Sequence, residues 1–420
     1  MIERRWALLC WMLATMALAS RAQAGVWGMD PVIGVLGDYS TDPGLLHQQD
    51  QEEGSGAFQA DLPTAYIDDA FKFTVEPAFR VGDSRGYSSV ASDYEHLNIR
   101  SEYDTERSTF AATGGLARDS SLSYNYLADG SAGVRRDGAT ADLNWDLHLT
   151  ERLEFDADAN AQRVRYAEAV GVDTLTDYYY YSAVPTLSWN TSERNKLTLS
   201  SSVGRYDSLN SVDGHNLPVS SESRSANLQL GFVRQLSELW TLTVTAGYSR
   251  ALDAINFNEY VCCVLETTPQ GLEFVLEAIP VRSESEQNGT VYTANLTHQS
   301  ERLRLTAVVS QQLAPTGYAF LSRQENYEVS AAYTLSERWS FSGDARLQRY
   351  QNPPAYGTPE VNVQYYILSA NWAWTEHWVL SLSAVRVSNS NTYGAASVDY
   401  SVASNEVTLS VSRQFGHVTL

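Results

Sequence analysis

One short motif constrains this chain more than any other feature. A Ser or Thr, then Glu, then usually Arg returns seven times between strand-like segments. It reads Thr105-Glu106-Arg107, Thr150-Glu151-Arg152, Ser192-Glu193-Arg194, Ser237-Glu238-Leu239, Ser300-Glu301-Arg302, Ser336-Glu337-Arg338 and Thr375-Glu376-His377. The glutamates stand 45, 42, 45, 63, 36 and 39 residues apart. After Glu238, Trp240, Leu242, Val244, Ala246 and Tyr248 share one parity, against Thr241, Thr243, Thr245, Gly247 and Ser249. After Glu151, Leu153, Phe155, Ala157 and Ala159 alternate with Glu154, Asp156, Asp158 and Asn160. A period of two means strands with one apolar and one polar face, so each motif reads as a tight turn between two strands.

The strands run about 10–12 residues, which fits a tilted membrane strand of roughly 9–11. Strands of soluble sandwiches are usually about 5–6 residues long. A propeller also repeats near 40 residues, but needs four strands per repeat where this chain has two. The fold class is therefore all-β: a transmembrane antiparallel up-and-down β-barrel with a lipid-facing apolar side and a wet lumen. Aromatic residues mark the strand ends as a girdle. Trp240, Trp339 and Trp378 begin strands, Trp189, Trp372 and Trp374 end them, and Tyr206 and Tyr248 lie at the opposite ends. Eight steps from Trp240 to Tyr248 span about 26 Å, or roughly 20 Å along the membrane normal at a tilt of about 40°.

The motif turns are short, whereas the connections at the other strand ends are longer and rich in Gly, Asn, Asp, Ser and Pro. Outer-membrane barrels have this asymmetry, with short turns in the periplasm and long loops outside. Two strands flank each of the seven turns. Segments beginning near Val32, Gly56, Phe71 and Glu406 bring the expected count to eighteen, or sixteen without the two N-terminal strands. One interval is longer than the rest because of residues 251–287. We expect there a long extracellular loop acting as a constriction or a cap, with Tyr260, Cys262, Cys263 and Phe274 inside it.

Export is expected from the N-terminus. Glu3, Arg4 and Arg5 precede an apolar run over 6–19, and Ala22-Gln23-Ala24 is a small-x-small cleavage signal. Residues 1–24 read as a signal peptide and 25–420 as the barrel. No later stretch reaches the roughly 20 apolar residues of a membrane helix. The net charge of −21 argues against nucleic-acid partners. Lys72 and Lys196 are the only lysines, so most positive charge is arginine, the better bidentate partner for carboxylates and phosphates. That suits a charge ladder in a barrel or contacts with lipopolysaccharide. Adjacent Cys262 and Cys263 make no disulfide scaffold.

No histidine stands in a metal-binding spacing or beside a nucleophile motif, so neither an enzyme nor a cofactor is expected. Asp38 and Asp42 fit no calcium loop and read as a solvated segment. The residues with functional promise are charges on polar strand faces: Glu154, Asp156 and Asp158 on one strand, Arg302 and Arg304 on another, Asp344 and Arg346 on a third. Rows of this kind set the field inside a pore and select ions by charge. They serve equally well simply to wet or pair across a lumen.

The signal peptide, the repeated Ser/Thr-Glu-Arg turns and the run from Glu106-Arg107 to Arg118-Asp119-Ser120-Ser121-Leu122 resemble the outer-membrane β-barrel porins of Gram-negative bacteria. The resemblance covers nearly the whole mature chain and rests on structural motifs. It implies an outer-membrane location, with outer-membrane lipid, lipopolysaccharide and the barrel-assembly machinery as partners. It also implies passage of small hydrophilic or saccharide solutes. Members often accompany exopolysaccharide systems, so it further implies polysaccharide-export proteins as partners. One departure is the C-terminus, where Phe415 holds the usual terminal aromatic place but Gly416 to Leu420 follow.

Overall fold

A computed structural model describes residues 25–41, 52–85, 94–120, 135–167, 176–209, 211–212, 218–268, 271–315, 321–351, 360–393, 398–416 and 418–419. Within 257–278 the description is of backbone only. The expected signal peptide, 1–24, lies outside the described residues, as does Asp42.

The described residues form one closed antiparallel barrel of eighteen strands. Four strands are interrupted, the ninth between Asn195–Leu209 and Ser211–Val212. β1 comprises Val26–Met29 and Val32–Ser40, β2 comprises Glu53–Asp61 and Thr64–Ile67, and β18 comprises Val398–Gln414 and Val418–Thr419. Pro31 and Pro63 sit at the first two breaks, where a residue without an N–H cannot continue the ladder. Between them come β3 (Phe71–Arg85), β4 (Tyr94–Asp104), β5 (Ser108–Ser120), β6 (Arg135–His148), β7 (Leu153–Tyr166), β8 (Asp177–Ser192) and β9 (Asn195–Leu209). They continue as β10 (Pro218–Gln235), β11 (Trp240–Thr268), β12 (Gly271–Gln299), β13 (Leu303–Pro315), β14 (Leu321–Thr334), β15 (Trp339–Gln351), β16 (Glu360–Ala373) and β17 (Trp378–Tyr393). Each pairs with its sequence neighbours. The barrel closes where β1 meets β18, from Val32 opposite Gln414 to Ser40 opposite Glu406. Closure leaves no strand edge to satisfy in lipid, the condition any membrane sheet must meet.

The seven motifs are the turns at one end, and their chemistry explains the residue choice. The motif's Ser or Thr oxygen accepts a backbone N–H two or three residues on. Thr105 takes Ser108 N at 3.0 Å, Thr150 takes Leu153 N at 3.0 Å, and Ser336 takes Trp339 N at 3.2 Å. Thr375 takes Trp378 N at 3.1 Å, and Ser237 takes Leu239 N at 3.3 Å. A hydroxyl that caps its own turn is what Ser and Thr supply at such positions. An eighth turn follows Asp68, whose N–H bonds Phe71 O at 2.8 Å.

Strand parity sorts the side chains as the alternation requires. Leu187, Leu199, Leu230, Leu368 and Leu382 project from the barrel with 40–69% of their surface exposed. Trp339 stacks on Trp372 at 5.6 Å, Trp372 on Trp374 at 6.4 Å, and Trp240 tilts against His298 at 4.6 Å. These aromatics and the exposed Trp189 and Trp378 gather at the motif-turn end. Tyr248, expected in the opposite girdle, is 57% exposed. Tyr206 is not exposed. It has the parity of Lys196 and Ser200, points inward, and is fully buried. Its distance from the turn suggested a girdle residue, but parity overrules distance.

Residues 251–287 also differ from the expectation of an irregular loop. β11 and β12 run 29 residues each and pair continuously from Trp240 opposite His298 to Thr268 opposite Gly271. The register slips once, between Val261 and Val264, so Cys262 and Cys263 mark an irregularity in a strand. Asn256 is the last residue of β11 paired with β10, and Tyr292 the first of β12 paired with β13. Beyond them the two strands pair with each other, extending the wall as a ribbon. No side-chain contact of Tyr260, Cys262, Cys263 or Phe274 lies within the described residues.

Candidate functional site: the lumen wall and its mouth

The inward parity builds a charged, hydrogen-bonded wall. On β6–β9, Asn144 donates to Asp158 at 2.8 Å, Asn160 to Asp142 at 2.5 Å and Asn190 to Glu154 at 2.8 Å. Lys196 pairs with Glu154. Asp156 stands directly opposite Asp146. The acidic row of Glu154, Asp156 and Asp158 thus widens into a patch that takes in Asp142 and Asp146.

Elsewhere several wall cations have carboxylate partners. Arg80 meets Asp38 at 2.8 Å, Lys72 meets Glu102 at 2.9 Å, Arg100 meets Glu102 at 2.9 Å, and Arg346 meets Glu328 at 3.1 Å. Asp38 therefore lies on the wall in an ion pair, not in a solvated loop. Buried Arg136 lies 3.5 Å from Asp119. Asp344 and Arg304 line one recess with Ser330 and Ser342. Arg302, expected beside Arg304 on the strand face, lies instead in the turn before β13, where its carbonyl accepts Thr334 N at 2.8 Å. The motif turn occupies one residue more than the alternation suggested. Water-facing charge costs little, which is why so polar a face is stable inside a membrane barrel.

At the extracellular end the wall is bridged by apolar contact. Val164 of β7, Tyr178 of β8, Tyr206 of β9 and Leu321 of β14 form one buried cluster, with Tyr166 and Tyr180 packed against it. Leu321 comes from a strand five positions around the barrel from β9, so its contact crosses the lumen. Two further contacts hold this end of β14. Arg323 Nη2 donates to Asn288 O on β12 at 3.0 Å, passing over β13. A Cβ on Gly289 would lie 2.0 Å from that same nitrogen, so glycine permits the approach. Ser322 Oγ donates to Gln351 O at 3.1 Å. β13 parts from β12 above Gln311, which frees the β13–β14 end to lean inward.

The sequence reading missed this narrowing and sought it in 251–287. A signal was present. Residues 313–321 read Leu-Ala-Pro-Thr-Gly-Tyr-Ala-Phe-Leu, an apolar connection on the side where the other connections are mostly polar.

A closed eighteen-stranded barrel with an apolar outer belt and a polar interior defines an outer-membrane β-barrel protein. No family model matches the chain, and no curated protein does. Solved structures with a similar fold include the ferric citrate transporter FecA in its unliganded form, at 11% identity and a TM-score of 0.46, covering 94% of this chain and 79% of that one. The siderophore receptor PiuA from Acinetobacter baumannii aligns at 10% identity and a TM-score of 0.45, covering 94% and 82%. The FrpB iron transporter from Neisseria meningitidis aligns at 10% and 0.43, covering 95% and 82%. Likeness at this level carries no argument about activity.

Proposed function

We propose that this barrel is a porin-like channel for passive passage of small hydrophilic or saccharide solutes, narrowed at its extracellular mouth and favouring cations. The observation that supports it is the wall itself. Polar and charged side chains line the inward parity, and the patch from Asp142 to Asp158 holds more carboxylates than its one cation, Lys196, can offset. Acidic linings favour cations at a constriction. A barrel of this strand number is wide enough for water unless something fills it. Recording refolded protein in planar bilayers under a salt gradient tests the proposal. The expected result is stepwise conductance with a reversal potential on the cation side, and no conductance at any voltage would overturn it.

A second reading is a non-conducting barrel that serves as a structural or assembly partner of a surface-polymer export system. The cluster that Leu321 makes across the lumen favours it. Loosening that cluster should leave conductance absent if the barrel is a closed partner, and should raise it if the barrel is a channel.

A further inference from the structure

At the foot of the β11–β12 ribbon, three buried oxygens stand side by side. Ser223 on β10 is directly opposite Asp253 on β11, and Asp253 is directly opposite Ser285 on β12. All three have the inward parity. Ser223 and Asp253 are 1% and 2% exposed, and the Ser285 hydroxyl is buried too. No hydrogen bond reaches Ser223 Oγ, Asp253 Oδ1 or Ser285 Oγ. No other row of paired residues among the described strands holds even two such atoms. The second carboxylate oxygen is held in place, since Gln287 Nε2 donates to Asp253 Oδ2 at 2.8 Å.

Buried polar atoms normally have partners, and a buried carboxylate without a countercharge is costly. The surrounding strands supply no countercharge. Across residues 204–208, 221–225, 249–255 and 283–289, Asp253 is the only charged side chain on the inward parity of β9 to β12. Nearby charges such as Glu222 and Arg224 have the outward parity of Leu228 and pair with each other. Neither serine hydroxyl closes on Oδ1 as a donor would. The three oxygens are arranged as ligands around a shared ion. Carboxylate and hydroxyl oxygens are hard ligands, which suit alkali and alkaline-earth cations and not soft metals. Charge decides between the two classes. One carboxylate neutralises a monovalent ion, whereas a divalent ion would leave a net positive charge buried.

We propose that Ser223, Asp253 and Ser285 bind one alkali-metal cation, with Gln287 orienting the carboxylate. The position gives the ion a task. Asn256, just beyond Asp253, is the last residue of β11 paired with β10, and β12 has no β13 partner before Tyr292. The ion ties β10, β11 and β12 together where the ribbon leaves the wall. This binding does not depend on whether the barrel conducts.

The test uses the full-length refolded protein in detergent micelles, wild type and Asp253→Asn, in potassium, sodium or choline chloride at one ionic strength. Choline is too large for the row and serves as the inert salt. Thermal melting and the line width of the sodium NMR signal are read. In the wild type, exchanging choline for potassium or sodium should raise the melting temperature saturably, by about 3 °C or more, and the sodium line should broaden. Asp253→Asn should show neither effect, with a gel shift on boiling confirming that it is folded. Ser223→Ala with Ser285→Ala keeps the carboxylate and should raise the half-saturating cation concentration about tenfold. A melting temperature that follows pH but ignores the cation would mean a protonated Asp253 and overturn the proposal. So would an equal cation response in folded Asp253→Asn or in the double serine variant. A larger response to submillimolar calcium, lost in Asp253→Asn, would overturn the monovalent assignment.

Discussion

Replacing Leu321 with alanine tests whether the cluster across the lumen holds the mouth narrow. Leu321 is fully buried among Val164, Tyr178 and Tyr206. Truncating a fully buried leucine to alanine costs about 2–5 kcal/mol, the spread depending on how far the site collapses. Leu321 ends β14 and pairs there with Pro315, so little of the ladder depends on its side chain. The lost energy therefore falls on the contact between β14 and β7–β9. A loss of about 3 kcal/mol at about 1.4 kcal/mol per tenfold moves the mouth equilibrium on the order of 100-fold toward the parted arrangement. Single-channel recording of wild type and variant in one lipid reads this as a larger open fraction or a larger unitary conductance. The reasoning fails if the variant keeps the wild-type shift on boiling yet shows the same open fraction and conductance. Leu321 would then pack the wall without controlling passage.

Gly289→Ala places a methyl where Arg323 reaches the Asn288 carbonyl, and should act in the same direction as Leu321→Ala but more weakly in the same recordings. Gly247→Ala meets rigid backbone, since its Cβ would lie 2.0 Å from Leu228 O. It should lower the urea midpoint of the refolded barrel, by about 1–3 kcal/mol of stability, as overpacking does. Asp142→Asn with Asp158→Asn keeps side-chain size and removes two wall charges. The reversal potential across a potassium chloride gradient should then move toward zero with unitary conductance nearly kept.

Much of the fold was legible because alternation and turn chemistry are local. The Ser and Thr of each motif cap their own turn, so the turns could be placed from the motif, and Val32–Ser40 stands where the alternation put it. The ribbon beyond Asn256 was not legible. Runs such as Val261-Cys262-Cys263-Val264-Leu265 put apolar residues on both parities, which erases the signal of a two-faced strand. Of the charged residues, Glu154, Asp156, Asp158, Arg304, Asp344 and Arg346 lie in strands on the inward parity. Arg302 fell into a turn because the motif and the alternation overlap by one residue. The mouth was hidden for a different reason. Leu321 meets Val164, Tyr178 and Tyr206 across the lumen, and no local period encodes a contact between residues so far apart in the chain.

The claim on which the rest depends is a closed barrel in the outer membrane. Outer membranes prepared from the source cells, run unheated and boiled on one gel, test it most directly. The account predicts a band in the outer-membrane fraction whose mobility shifts on boiling, as the intact strand ladder gives way. A protein found in the soluble periplasmic or secreted fraction, with the same mobility before and after boiling, would contradict it.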